Sequence, residues 1–140
     1  MPQFGKKSLK LREYLCKDLK RLVDETIKVY DFSIVDTFRG KEEQERAFLA
    51  KASKAHFGES AHNYHPCFAL DAYPYPCPRK QDKGYIVIDD DSPEWKKMTD
   101  AFKKAAKKLG LKITCGIDFR SFKDKPHIEV ADWKTRIKEI

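Results

Sequence analysis

Three of the four histidines in the chain, His56, His62 and His65, fall in or beside one stretch of glycine, serine and asparagine that runs into Asp71. Imidazole nitrogens and a carboxylate oxygen bind Zn²⁺ at about 2.0–2.2 Å, and a catalytic zinc site takes three such ligands while leaving a fourth position for water. A loop histidine and Asp71 supply two. The third has to come from elsewhere, and His127 is the remaining histidine. Pro126 before it and Ile128-Glu129-Val130 after it place it at the start of a strand, which can hold a ligand rigidly. A histidine beside apolar residues is more often a hydrogen-bonded structural group, and the chain has no His-Glu-x-x-His pair. Composition alone therefore leaves a metal site and a structural cluster both open.

The elements that must position these residues can be read from periodicity. Over 8–30 the apolar residues Leu11, Leu15, Leu19, Leu22, Val23 and Ile27 recur at three- and four-residue steps, with Ser8 placed to cap, which predicts one amphipathic helix. Residues 32–35 have strand composition, and a helix-forming run follows over 41–52, so 36–39 lie at a strand-to-helix junction. The loop 56–66 feeds a short buried strand over 67–72. Pro74, Pro76 and Pro78, with 79–84 after them, argue against regular structure, and 85–88 reads as a strand. Ser92-Pro93-Glu94 starts a helix with the stripe Trp95, Met98, Phe102, Ala105 and Leu109, which Gly110 ends. Strands are expected over 111–114 and 126–130 around a polar loop, 116–125, and a final short helix over 133–140. This order favours an α+β fold, a single domain over 1–140 with a small, mostly antiparallel sheet flanked by helices.

With 140 residues, 41% of them hydrophobic, the chain can bury roughly two thirds of its extended surface, and no apolar run approaches the roughly 20 residues of a membrane-spanning helix. Lys6, Lys7, Lys10, Arg12 and Lys17 interrupt the first 20 residues, so no secretory signal peptide is expected. Cys16, Cys67, Cys77 and Cys115 contain no Cys-x-x-Cys pair and read as free thiols. The net charge of +7 calls for an anionic neighbour, and nucleic acid, anionic membrane and wall polymers all qualify. Lys103, Lys104, Lys107 and Lys108 share one predicted helix and read as a solvated face.

Ser60-Ala61-His62-Asn63, then Ala69-Leu70-Asp71, and far downstream Asp124-Lys125-Pro126-His127 resemble the zinc peptidases that include D-Ala-D-Ala carboxypeptidases and dipeptidases and phage L-alanyl-D-glutamate endolysins. The likeness extends through the first helix, the turn 34–40 with Arg39, Glu42-Glu43-Gln44, and Gly116-Ile117-Asp118-Phe119, so it covers about 8–130. It implies that His62, Asp71 and His127 bind one zinc ion, that Asp124 is the catalytic acid/base, and that Arg39 stabilises the developing oxyanion. Ser60 and Gln44 fall on matched positions as substrate-binding or supporting residues. Asp118 is a candidate to orient a zinc histidine through its second nitrogen. Glu129 shares a strand side with His127 and is a candidate for the same task.

The chain departs from many relatives in a gap two residues longer, Asn63-Tyr64-His65-Pro66-Cys67-Phe68, a form resembling phage lysins. His65 lies nearer Asp71 in sequence and competes with His62 as ligand, although Ser60-x-His62-Asn63 favours His62. A structural site of His65, Cys67 and Cys77 has no standard ligand spacing. Ile117 stands where relatives often carry a smaller residue.

The resemblance implies a zinc-dependent peptidoglycan peptidase of endolysin type, with L-alanyl-D-glutamate as the expected bond. A carboxypeptidase trimming terminal D-Ala is the alternative, which a cationic pocket for a free carboxylate would favour. A basic nucleic-acid-binding module without catalysis is the rival of another class. Peptidoglycan is the expected partner, with no stable nucleic-acid or protein partner and a monomeric state. The expected location is the host bacterial cytoplasm until a separate pore protein gives access to the cell wall.

Overall fold

The stripe Leu15, Leu19, Leu22, Val23 and Ile27 is buried as its spacing requires, but the chain that carries it is not one helix. The computed structural model, which describes residues 2–120 and 123–139, divides it into α1 (Lys6–Arg12) and α2 (Lys17–Ile27). Between them the backbone bonds outward. Cys67 N–H donates to the Tyr14 carbonyl at 2.8 Å and Cys16 N–H to the Cys67 carbonyl at 2.9 Å, tying the link to the entry of a strand. Periodicity reports which side chains are buried and says nothing of such remote backbone partners. Ser8 likewise is no cap: it is buried in α1, where its Oγ accepts the Ile34 N–H at 3.0 Å.

Four strands form one antiparallel sheet in the order β1-β2-β6-β5. They are β1 (Phe32–Asp36), β2 (Ala69–Pro74), β5 (Ile113–Cys115) and β6 (His127–Val130). The expected strand over 67–72 starts later because Cys67 is engaged with the α1–α2 link. The two central strands pair Asp71 with His127 and Ala69 with Glu129. Helix α3 (Lys41–Leu49) stops short of residue 52, because Ala52 and Ser53 N–H both turn back to the Ala47 carbonyl. Helix α4 (Glu94–Leu109) ends at Gly110, whose φ of +71° suits a residue without a Cβ.

Helices α2 and α4 pack together, and α4 and β1 meet through Phe102 and Phe32, whose ring centroids are 4.8 Å apart. Lys103, Lys104, Lys107 and Lys108 of α4 face solvent, Lys103 and Lys108 in ion pairs with Asp118 and Glu25. No described helix is long and apolar enough to cross a membrane.

The stretch after the prolines is regular, contrary to expectation. β3 (Arg79–Asp82) pairs with β4 (Tyr85–Ile88) as a hairpin, turned by Lys83 and Gly84 with φ of +52° and +83°. Paired positive-φ residues match the strand twist, and lysine before glycine is a weak sequence signal for such a turn. The chain closes with α5 (Trp133–Arg136) and a 3₁₀ turn (Ile137–Glu139). Met1, Ser121 and Phe122 of the expected 116–125 loop, and Ile140, where the final helix was expected to end, lie outside the described residues.

Candidate active site

The antiparallel register of β2 and β6 sets Asp71 directly opposite His127, so both side chains emerge on one face of the sheet. His62 reaches them from a 3₁₀ turn (Ala61–Asn63) held by a reciprocal cap. Ser60 Oγ accepts the His62 N–H at 3.2 Å, while Asn63 Oδ1 accepts the Ser60 N–H at 3.1 Å. The turn is anchored to the β1–α3 junction by Arg39 N–H donating to the His62 carbonyl at 2.7 Å.

Each histidine spends one nitrogen on the protein and turns the other inward. His62 Nδ1 faces the Thr37 carbonyl at 2.7 Å, and His127 Nε2 faces Glu129 Oε1 at 2.6 Å, short as for a charge-assisted bond. What remains is a triangle: His62 Nε2 to His127 Nδ1 is 3.2 Å, and each is 3.4 Å from Asp71 Oδ1. Ligand atoms at the zinc distances above, around a tetrahedral ion, stand ~3.3–3.4 Å apart, so the donor set fits such an ion. The two 3.4 Å approaches lack hydrogen-bond geometry, and Asp71 Oδ1 is buried without a hydrogen-bond partner. An orphaned carboxylate oxygen beside two inward imidazole nitrogens is an arrangement that a metal ion satisfies.

The electrostatics agree. Burial alone would raise Asp71, yet His127 and His62 hold its carboxyl well below the usual range. Burial alone would lower His127, but Asp71 and Glu129 outweigh it and push the imidazole up to about 9. A positive charge belongs at the centre of this triangle, and either a proton or a metal ion can supply it. Among the described residues, His62, Asp71 and His127 form the group with metal-ligand spacing.

Two charged residues face the same place. Asp124 precedes His127 in a tight turn in which His127 N–H donates to the Asp124 carbonyl at 3.0 Å. Burial, then the charge of Asp71, raises its carboxyl above the ordinary range, with His127, His62 and Arg39 opposing. Arg39 is held by Asp36 Oδ2 at 3.0 Å and by Gln44 Oε1 at 3.1 Å, with Asp71 Oδ2 at 3.9 Å. Gln44 is fully buried and also binds Ser53 Oγ, the Ala55 carbonyl and Asn63. It therefore supports Arg39 and cannot itself touch substrate. An open cleft of about 1040 Å³ is lined by Arg39, Ser60, Asp71, Asp124, His127 and Trp133, among others.

Other candidates stand apart. Asp118 is exposed and paired with Lys103 at 2.8 Å, because the 3₁₀ turn (Gly116–Asp118) aims it at α4; the second nitrogens of both histidines have other partners. His65 is exposed beside the rings of Tyr14 and Phe38, and His56 pairs with Glu45. All four cysteines are free; Cys67 is buried with its thiol on the Ala69 carbonyl, and burial pushes it up to about 12. That is a neutral thiol rather than a metal ligand.

Three supporting residues carry no chemical signal of their own in the sequence. Thr37 orients His62 through its backbone, Trp133 Nε1–H donates to Glu129 Oε2 at 2.9 Å, and Gly116 lies against the Asp124–His127 turn. Glu129 is thus fixed by Trp133 while it holds His127. Glu129→Gln is expected to weaken metal binding ten- to hundredfold, as losing such outer partners commonly does. A competition titration against a chelator checks this, and wild-type affinity would show that His127 does not need the carboxylate.

The sequence matches the family of phage L-alanyl-D-glutamate peptidases over residues 1–133. The chain belongs to that family. Its fold is also that of the crystal structure of Serratia marcescens L-Ala D-Glu endopeptidase ChiX, with a TM-score of 0.73 over 95% of this chain and 93% of that one at 18% identity. No curated protein matches significantly. The chain is therefore a phage-type peptidoglycan peptidase, and a group that could hold a metal ion stands at the floor of its cleft.

Proposed function

We propose that the chain is a zinc endopeptidase that cuts the amide between L-Ala and D-Glu in peptidoglycan stem peptides, acting as a monomer. The observation that carries this reading is the triangle of His62 Nε2, Asp71 Oδ1 and His127 Nδ1, with Asp124 and Arg39 lining the same cleft. Zinc, when bound, supplies a Lewis acid for the scissile carbonyl and a water acidified towards a pKa of about 7.

The chain's own residues do the rest. Asp124, as carboxylate, takes a proton from the attacking water and later returns it to the leaving amine of D-Glu. Arg39, fixed by Asp36 and Gln44, keeps further N–H donors for the oxygen on which negative charge develops. Glu129 and Thr37 keep the two inward nitrogens as acceptors. We further propose that the enzyme acts from the cytoplasmic side of a lysing host, once a separate pore protein gives access to the wall.

The test is digestion of purified peptidoglycan by metal-stripped and zinc-reloaded protein, with the new amino termini identified by mass spectrometry. Zinc-dependent appearance of D-Glu amino termini is expected. Release of D-Ala alone would make the enzyme a carboxypeptidase, and zinc-independent products would overturn the reading.

A further inference from the structure

One wall of the cleft is strongly cationic. The floor carries Asp71, Asp124 and Glu129 together with Arg39, and Lys54 and Glu59 also line the cleft, while the wall built by α5 and the 3₁₀ turn after it presents Lys134 and Lys138, one helical turn apart and both exposed. Elsewhere many cations are matched: Lys96, Lys103 and Lys108 each have an acid within 2.8 Å, and Arg39 is committed to Asp36. Lys134 and Lys138 make no ion pair among the described residues; the ammonium of Lys134 lies 5.7 Å from the centre of the Trp133 ring.

A substrate cut at L-alanyl-D-glutamate brings an anion to this cleft. Its glutamate gives its amine to the scissile amide and one carboxyl to the next residue, which leaves one carboxylate free. The lysine wall attracts that group, so it favours one direction of the peptide in the cleft.

We propose that Lys134 and Lys138 form a carboxylate subsite, which takes the free carboxylate of the glutamate on the leaving-amine side of the bond and so sets the direction in which the peptide lies. The assignment rests on the peptidase reading above. A carboxylate at a chain terminus, as in a D-Ala-D-Ala substrate, has the same chemistry and must be distinguished.

The experiment compares two peptides containing L-Ala-D-Glu, one with that carboxylate free and one with it as a carboxamide, using zinc-loaded protein. The wild type is expected to prefer the free acid by about three- to tenfold in kcat/KM, mainly through KM, as suits two solvent-exposed ion pairs. The ratio is expected to fall to near one in Lys134→Ala/Lys138→Ala, to invert in Lys134→Glu/Lys138→Glu, and to return in the double arginine variant. It should also shrink as salt rises. Equal cleavage of both peptides by the wild type, or an undiminished ratio in the double alanine variant, overturns the subsite alone. Failure to cut either peptide overturns the peptidase reading and the subsite with it. Release of D-Ala from a D-Ala-D-Ala peptide that is lost in the double alanine variant would assign the lysines to a terminal carboxylate and also overturn the proposal.

Discussion

Asp124→Asn is expected to lower hydrolysis of an L-Ala-D-Glu peptide about 10³-fold while the purified protein still binds one metal ion. The amide is isosteric but cannot take a proton from water, and a positioned general base contributes about 10²–10⁴ in rate. Metal binding should survive because the candidate ligand atoms belong to His62, Asp71 and His127, and the turn is set by the Asp124 backbone rather than its side chain. The pH profile supplies a second check. Burial is the first cause of the raised Asp124 carboxyl and does not depend on a bound ion. Activity needs the ionised form, so it is lost as pH falls through the raised value, and the acid limb of kcat/KM should lie above the ordinary aspartate value of about 3.9. The linkage has the opposite sign for stability: with its folded pKa raised, ionised Asp124 weakens the fold as pH rises, so the variant should be no less heat-stable than wild type at neutral pH. A variant retaining more than a tenth of the rate would remove Asp124 from the proton-transfer role.

Gly116→Ala is the second large effect, and the substituted residue does no chemistry. A Cβ there would sit 1.9 Å from the Asp124 carbonyl oxygen and 2.9 Å from the His127 Cβ. These are backbone and near-backbone atoms, so no side-chain rotation relieves the overlap. Gly116 O also accepts the Asp124 and Phe119 N–H groups at 3.0 and 3.1 Å, which fixes the two segments face to face. The turn must shift and carry Asp124 and His127 with it. Misplacement of about 1 Å can cost 10²-fold, so a loss of at least that size is expected, with about 1–3 kcal/mol of stability lost to overpacking. Gly5→Ala, with nothing within 4 Å, is the control and should leave rate and melting unchanged. Wild-type turnover in Gly116→Ala would show that the turn yields without moving Asp124.

Much of the candidate metal site was legible because its residues are rare and chemically distinctive. Four histidines leave few combinations, and the spacing of Ser60, His62, Asp71, Asp124 and His127 resembles one family. Helix α4 was legible for a different reason: Ser92, Pro93 and Gly110 act locally, and Ser92 Oγ does accept the Glu94 N–H. The first helix was read as continuous because burial has a period and the break does not; at the break, 13–16, the backbone bonds to Cys67. Asp118 was read as a partner of a zinc histidine because it lies in a matched segment, but its direction is set by Lys103 on α4.

The sequence by itself determined the candidates: which atoms could bind a metal, which carboxylate the resemblance assigns to proton transfer, and which residues are apolar enough to bury. The tertiary structure decided which of these meet. It chose His62 over His65, since the Ser60–Asn63 cap and the Thr37 carbonyl aim one ring at Asp71 while the other rests on Tyr14 and Phe38. It gave Glu129 rather than Asp118 to His127, and it set Gly116 hard against a turn eight residues onward. Hydrogen-bond direction and steric clearance between remote segments depend on register and crossing, which no local pattern of residue types encodes.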